Sequence, residues 1–131
     1  MNIRKNITGV QHIGIPTNDV EKTIEFYVGL GFEIALFTLN EAANEKVAFL
    51  RLGNLMIETY ENKAAAMKNG AIDHIALDVK EIDKVFQEVR SAGYRMLDHA
   101  VQSLPFWDHG VKFFTIVGPN EEKIEFCEKL S

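Results

Sequence analysis

Cysteine is almost missing from this 131-residue chain. Cys127 stands alone, so no intrachain disulfide can form, which fits a reducing compartment. Long apolar runs are missing too. No stretch reaches the roughly 18 apolar residues of a membrane-spanning helix. The opening MNIRKNITGVQH has no apolar core of the kind a signal peptide needs, so none is expected. Basic charge is scarce: 14 Lys and Arg stand against 19 Asp and Glu, for a net charge of −5. The Arg4-Lys5 pair is too small to make a basic stripe, so nucleic acid is not an expected partner. What is present is 47 % apolar and 25 % charged residues, enough to bury a core without covalent staples. These absences leave a cytoplasmic domain that binds a small molecule or another protein.

The chain is written twice. Sliding it by 62 positions lays QHIGIPTNDVEKTIEFYVGLGF, from Gln11, over DHIALDVKEIDKVFQEVRSAGY, from Asp73, without a gap. His12 meets His74, Ile13 meets Ile75, Lys22 meets Lys84 and Gly31 meets Gly93. Further on, Ile57-Glu58-Thr59-Tyr60-Glu61 lies over Ile124-Glu125-Phe126-Cys127-Glu128 at an offset of 67. Two matching segments in the same order mean a duplication with extra loop residues in the second copy. Two copies make a pseudo-symmetric single domain, 1–131, rather than a solenoid. Its modules are 7–61 and 71–129, with a linker at 62–70.

Both modules read alike locally. Gly9 to Ile15 alternates as a strand, and Asn18 with Glu21 three positions on forms a capping box. Val20, Ile24, Tyr27 and Val28 make one helical stripe, stopped by Gly29 and Gly31. Phe32 to Leu39, Lys46 to Leu52 and Leu55 to Tyr60 read as strands, with a tight turn at Gly53-Asn54. The second module repeats the pattern: a strand over Ile72 to Val79, then a helix burying Ile82, Val85, Phe86 and Val89. Strands follow at Tyr94 to Leu97, Val111 to Val117 and Lys123 to Cys127. The Ala- and Lys-rich stretch from Asn62 to Asn69 predicts a short linker helix. The expected class is α+β, with two βαβββ modules.

Alternation then selects the chemistry. Residues i and i+2 of a strand share a face. His12 with Gly14, and His74 with Ala76, therefore point away from Ile13, Ile15, Ile75 and Leu77, the more apolar face that helices must cover. If helices also cover Ile57 and Ile124, Glu58 and Glu125 project from the opposite, concave face. Two histidines and two glutamates then share that face. A lone strand histidine is more often structural than a ligand, and duplication copies structural residues equally well. The recurrence of both ligand types at equivalent places on one face is what points to a metal. Imidazole mixed with carboxylate suits a borderline first-row divalent ion, which acts as a Lewis acid when a carbon acid loses its proton. A carboxylate beside it could act as the base.

The paired HIGI and HIAL strands, the duplicated βαβββ unit and the terminal Ile-Glu of each half resemble the vicinal oxygen chelate superfamily, from Ile7 to Lys129. That resemblance implies curled mixed sheets forming a cup. The His-Glu-His-Glu order is similar to that of glyoxalase I, and falls on His12, Glu58, His74 and Glu125. It implies that these four bind one divalent metal, commonly Ni or Zn, with Co, Mn or Fe as further candidates. It implies that Glu125 moves the substrate proton, that Glu58 can share the task, and that the working form is a homodimer whose metal site can draw on two chains. The expected function is a metal-dependent isomerase or lyase acting on a small hydroxy-carbonyl compound or its thiol adduct. The alternatives are a methylmalonyl-CoA epimerase-like enzyme and a non-catalytic drug-binding protein of the same fold. Pro16 stands where glutathione-dependent members usually carry an arginine, so the thiol is left open.

The loop Ser103 to Gly110 supplies the remaining candidates. His109, Trp107 and Phe106 are expected to contact substrate, against the plainer roles of exposed histidine and loop anchors. Arg51 and Lys112 are weighed as anion holders and read as solvated sheet edge. His99 is read as exposed, and Cys127 as a small core filler.

Overall fold

In the computed structural model, which describes residues 3–131, each half of the chain builds one sheet and one long helix. The chain divides into two compact units, the first ending at Ala66 and the second starting at Met67. Met1 and Asn2, at the head of the opening stretch, lie outside the described residues. A short 3-10 turn over Ile3–Asn6 precedes the first sheet.

The first unit runs β1 (Ile13–Pro16), α1 (Val20–Gly29), β2 (Glu33–Asn40), β3 (Glu45–Leu52) and β4 (Leu55–Tyr60). Its sheet order is β1-β4-β3-β2, with β1 parallel to β4 and the other pairs antiparallel. The second unit runs β5 (His74–Asp78), α2 (Ile82–Ser91), β6 (Arg95–Met96), β7 (Gln102–Leu104), β8 (Val111–Val117) and β9 (Lys123–Lys129). Its order is β5-β9-β8-β6, again with the first pair parallel, and β7 also pairs with β8. Both sheets are mixed and unclosed, as expected of the α+β class.

Each helix covers one face of its own sheet. In the first unit Val20, Ile24 and Tyr27 meet Leu50 and Ile57, all buried, and Phe32 closes on Tyr27 edge-to-face at 5.2 Å. In the second, Ile82, Phe86 and Val89 meet Phe114, Ile116 and Ile124. Phe86 stands edge-on to Phe114 at 5.1 Å, and Phe114 stacks on Phe126 at 4.7 Å. Ile57 and Ile124 are thus the helix-covered residues of β4 and β9, and the glutamates beside them in sequence take the other face.

Several local expectations need correction. The residue that caps α1 is Asp19, not Asn18: its extended backbone (φ −151°, ψ 97°) lets its carboxylate accept the Lys22 N–H at 3.1 Å. Asn18 instead accepts the Ala65 N–H, and Glu21 reaches out to Lys46 Nζ at 2.9 Å instead of closing a capping box. Thr23, not Val28, completes the buried stripe of α1, and Val28 is exposed. Strands β1 and β5 start later than alternation suggested. Val10 and Ile72, equivalent in the repeat, are both strongly exposed, so burial does not reward extending the ladders to them. The linker carries no helix, and strand β7 was not expected.

A second set of caps links the strand ends to the helices. The Glu61 carboxylate accepts the Val20 N–H at 2.8 Å, and Glu128 accepts those of Ile82 and Glu81 at 3.0 and 3.2 Å. These positions are equivalent in the repeat. A carboxylate there meets both the unpaired N–H groups and the positive end of the helix dipole.

Candidate metal centre

The parallel pairing sets each histidine beside its glutamate. Gly14 lies opposite Glu58 and Ala76 opposite Glu125, so the small residue two places after each histidine leaves the carboxylate uncovered. His12 and His74, at or just before the strand start, reach the same face. His12 Nε2 is 3.3 Å from Glu58 Oε1, and His74 Nε2 is 3.4 Å from Glu125 Oε1. Each unit thus brings together one histidine and one glutamate, and the face assignment from alternation holds within both.

The other ring nitrogen is taken in both cases. Gln11 Oε1 lies 3.0 Å from His12 Nδ1, and Asp73 Oδ2 lies 2.9 Å from His74 Nδ1. Both partners are acceptors, so Nδ1 carries the proton and donates it. In the neutral Nδ1–H tautomer the Nε2 lone pair would point at a carboxylate. Two acceptors face each other, an arrangement that needs a proton or a cation between them. Two donors of one first-row ion, each at roughly 2.0–2.2 Å, lie about 3.0–3.5 Å apart. Both observed separations fall in that range, so the donor type and spacing fit a divalent metal.

The surroundings of the two pairs differ. His12 meets the edge of Phe49 at 5.6 Å and 83°, and Met56 and Tyr60 share the face of Glu58 along β4. A Cβ on Gly14 would sit 3.6 Å from the Tyr60 ring, which places that ring against the β1 backbone. In the second unit Thr115 lies opposite Glu125, and Lys123 and Cys127 flank it along β9. Lys123 Nζ binds Asp73 Oδ1 at 3.1 Å, and Asn69 donates to the same oxygen at 2.8 Å. The hydrogen bond from His74, then Lys123, holds the Asp73 carboxyl below its ordinary value. Burial, then the Glu125 charge, pushes the Cys127 thiol up, so Cys127 stays protonated and donates to Glu125.

The loop candidates lie elsewhere in the second unit. Leu104 pairs with Val111, Val111 with Lys129, and Leu130 N–H donates to Gly110 at 3.0 Å. That puts Phe106, Trp107 and His109 at the Lys129 end of β9. Glu125 lies four residues back, or about 13 Å at the usual strand rise. Lys129 Nζ sits 4.6 Å from the centre of the Trp107 ring, and Trp107 and Phe106 are otherwise exposed. An open groove there is lined by Ser103, Leu104, Trp107, His109, Val111 and Leu130. Arg51 faces Glu33 at 3.9 Å and Lys112 faces Asp83 at 3.7 Å, while His99 is exposed. Asp19, Glu21 and Glu61 also bring carboxylate oxygens together. Helix N–H groups and Lys46 already serve these three.

Sequence reasoning passed over Gln11 and Asp73. Their signal was the match at an offset of 62 itself, which begins on these two residues and aligns two hydrogen-bond acceptors.

Comparison with known proteins now decides the family. The model of the glyoxalase/bleomycin resistance protein/dioxygenase superfamily matches residues 11–114, most of the chain. The chain belongs to that superfamily. No curated protein matches it. Among solved structures, a glyoxalase family protein from Enterococcus faecalis is 21 % identical, with a TM-score of 0.79 over 94 % of this chain and 99 % of that one. A superfamily member from Alicyclobacillus acidocaldarius is 15 % identical, with a TM-score of 0.71 over 95 % and 93 %. The fosfomycin resistance protein FosX from Listeria monocytogenes, solved with Mn(II) and sulfate, is 17 % identical, with a TM-score of 0.73 over 95 % and 94 %. These likenesses show the vicinal oxygen chelate fold, and the superfamily includes metalloenzymes such as FosX. No helix among the described residues is long and apolar enough to cross a membrane.

Proposed function

We propose that this protein is a metal-dependent isomerase or lyase of the glyoxalase I type, acting on a small hydroxy-carbonyl compound or its thiol adduct. In this reading His12, Glu58, His74 and Glu125 together hold one divalent ion, Ni or Zn, in a cytoplasmic homodimer. The observation that carries it is the repeated placing of a histidine Nε2 beside a glutamate carboxylate oxygen, at 3.3 and 3.4 Å. When bound, the ion supplies positive charge that stabilises an enediolate oxygen.

The protein's own residues do the rest. Glu125 takes the proton from the carbon beside the carbonyl and returns it to the neighbouring carbon. The Cys127 S–H bond orients its carboxylate, and its side chain is the less exposed of the two, 18 % against 28 % for Glu58. Glu58 shares the proton transfer. Phe49 and Tyr60 form an apolar wall that excludes water. The groove lined by Trp107 and His109, with Phe106 beside it in the same loop, takes the part of the substrate remote from the reacting carbon.

The test uses metal-reconstituted protein on three substrates: the methylglyoxal hemithioacetal, methylmalonyl-CoA for proton exchange, and fosfomycin. Turnover of the hemithioacetal, lost in Glu125→Gln, is the expected result. Proton exchange on methylmalonyl-CoA alone would move the assignment to an epimerase. Opening of fosfomycin alone would move it to a resistance enzyme like FosX. A protein that turns over none of the three yet binds an apolar or cationic drug tightly without metal would refute the enzyme reading.

A further inference from the structure

The two histidines are held by unequal partners. His12 Nδ1 meets the neutral amide oxygen of Gln11, and this contact, like that of His74, is between exposed sequence neighbours. His74 Nδ1 meets the carboxylate of Asp73, and that carboxylate is fixed in turn by Asn69 from the preceding segment and by Lys123 at the start of β9. The Lys123 contact ties the loop before β5 to the strand that carries Glu125, so orienting the ring and placing the glutamate are done by one network. A carboxylate on the distal ring nitrogen fixes the tautomer and makes the other nitrogen a better donor, and a neutral amide does so more weakly.

We propose that Asp73 is a positioning residue that holds His74 in the Nδ1–H tautomer, making the second unit's histidine the dominant anchor for a divalent metal. This rests on the metal reading above. Gln11 plays the equivalent part for His12, but weakly, because an amide offers no charge and, among the described residues, no second hydrogen bond pins it as Lys123 and Asn69 pin Asp73. The duplication has therefore kept the ligands equal and let their supports diverge.

The experiment has two arms on the full chain. The first is nitrogen-15 NMR of the histidine rings in metal-free protein, at a pH where they are neutral. The His74 ring is expected in the Nδ1–H form in the wild type, to lose that preference in Asp73→Ala and to retain part of it in Asp73→Asn, with His12 unmoved in both. The second is titration with Ni or Zn. Asp73→Ala is expected to weaken binding about 10- to 100-fold, Asp73→Asn less, and Gln11→Ala least. An unchanged His74 tautomer in Asp73→Ala overturns the proposal, as does a Gln11→Ala loss equal to that of Asp73→Ala. A wild type that binds neither ion refutes the metal reading, and with it the anchoring role, while the tautomer arm still decides the orientation by Asp73.

Discussion

The two units share a plan and differ in what surrounds it. The first sets its histidine–glutamate pair among Phe49, Met56 and Tyr60, with a neutral amide behind the ring. The second sets an equivalent pair among Thr115, Lys123 and Cys127, with a carboxylate behind the ring. What both retain falls into two kinds: the groups that hold the sheet and helix together, such as Ile57 with Ile124 and Glu61 with Glu128, and the paired donors. Apart from the small Gly14 and Ala76 beside them, the neighbours of these donors have changed. The difference teaches that one plan carries an apolar lining in the first unit and a polar, ionisable one in the second, which under the proposed function would shape a wall and handle protons.

The largest expected effect tests that division. Glu125→Gln should lower turnover about 1,000-fold, within the usual range for losing a general base, and Glu58→Gln should lower it much less. Equal losses in steady-state kinetics would show that the units divide the labour evenly. Next come the caps. Helix α2 begins at Glu81, which sits in the left-handed region (φ 52°) and makes no side-chain cap of its own, so Glu128 serves it alone. Helix α1 has both Asp19 and Glu61. Glu128→Ala should cost about 2 kcal/mol and Glu61→Ala about 1 kcal/mol in denaturant unfolding. A reversed order would break the account of the second cap.

A smaller effect of opposite sign is expected at Thr59, whose buried hydroxyl has no partner among the described residues, where the repeat places Phe126. Thr59→Val should stabilise the protein by about 1 kcal/mol, read as a rise in the unfolding midpoint. The smallest effect belongs to the exposed pairs Glu21–Lys46 and Arg95–Glu121. Hydrogen bonds from Lys46 and Arg95 hold the two carboxyl groups below their ordinary values. Their contribution is therefore present above the ordinary carboxylate value and is lost as pH falls through the depressed ones. Screening by salt should erase it in both units alike, a shift at the edge of detection in acid titrations of Glu21→Gln and Glu121→Gln.

Much of this was legible in the sequence, because period and duplication are strong signals. Strands β3, β4 and β8 fall within a residue of where alternation put them, and Ile82, Phe86 and Val89 face the core as their spacing implied. Within each sheet, the face of Glu58 and of Glu125 followed from burying Ile57 and Ile124, and that of His12 and of His74 from the apolar residues that alternate with them. The failures are all local choices settled by distant partners. Asn18 and Asp19 are both good caps, and the choice fell to Asp19 because Asn18 turns to the Ala65 N–H, 47 residues away. The Ala- and Lys-rich linker has helical composition, yet its N–H groups turn elsewhere, those of Asn62 and Lys63 to the Tyr60 and Thr17 carbonyls and that of Ala65 to the Asn18 side chain. Glu61 and Glu128 lay inside the repeat match, and their roles became visible only when strand ends met helix starts.

The central proposal is that His12, Glu58, His74 and Glu125 together hold one divalent ion. Its most direct test is elemental analysis of protein stripped with chelator, reloaded with Ni and freed of unbound ion. The account predicts one ion per chain in the wild type and almost none in either His12→Ala or His74→Ala. Two ions per chain, with each variant losing only one, would contradict it, and so would a wild type that retains none.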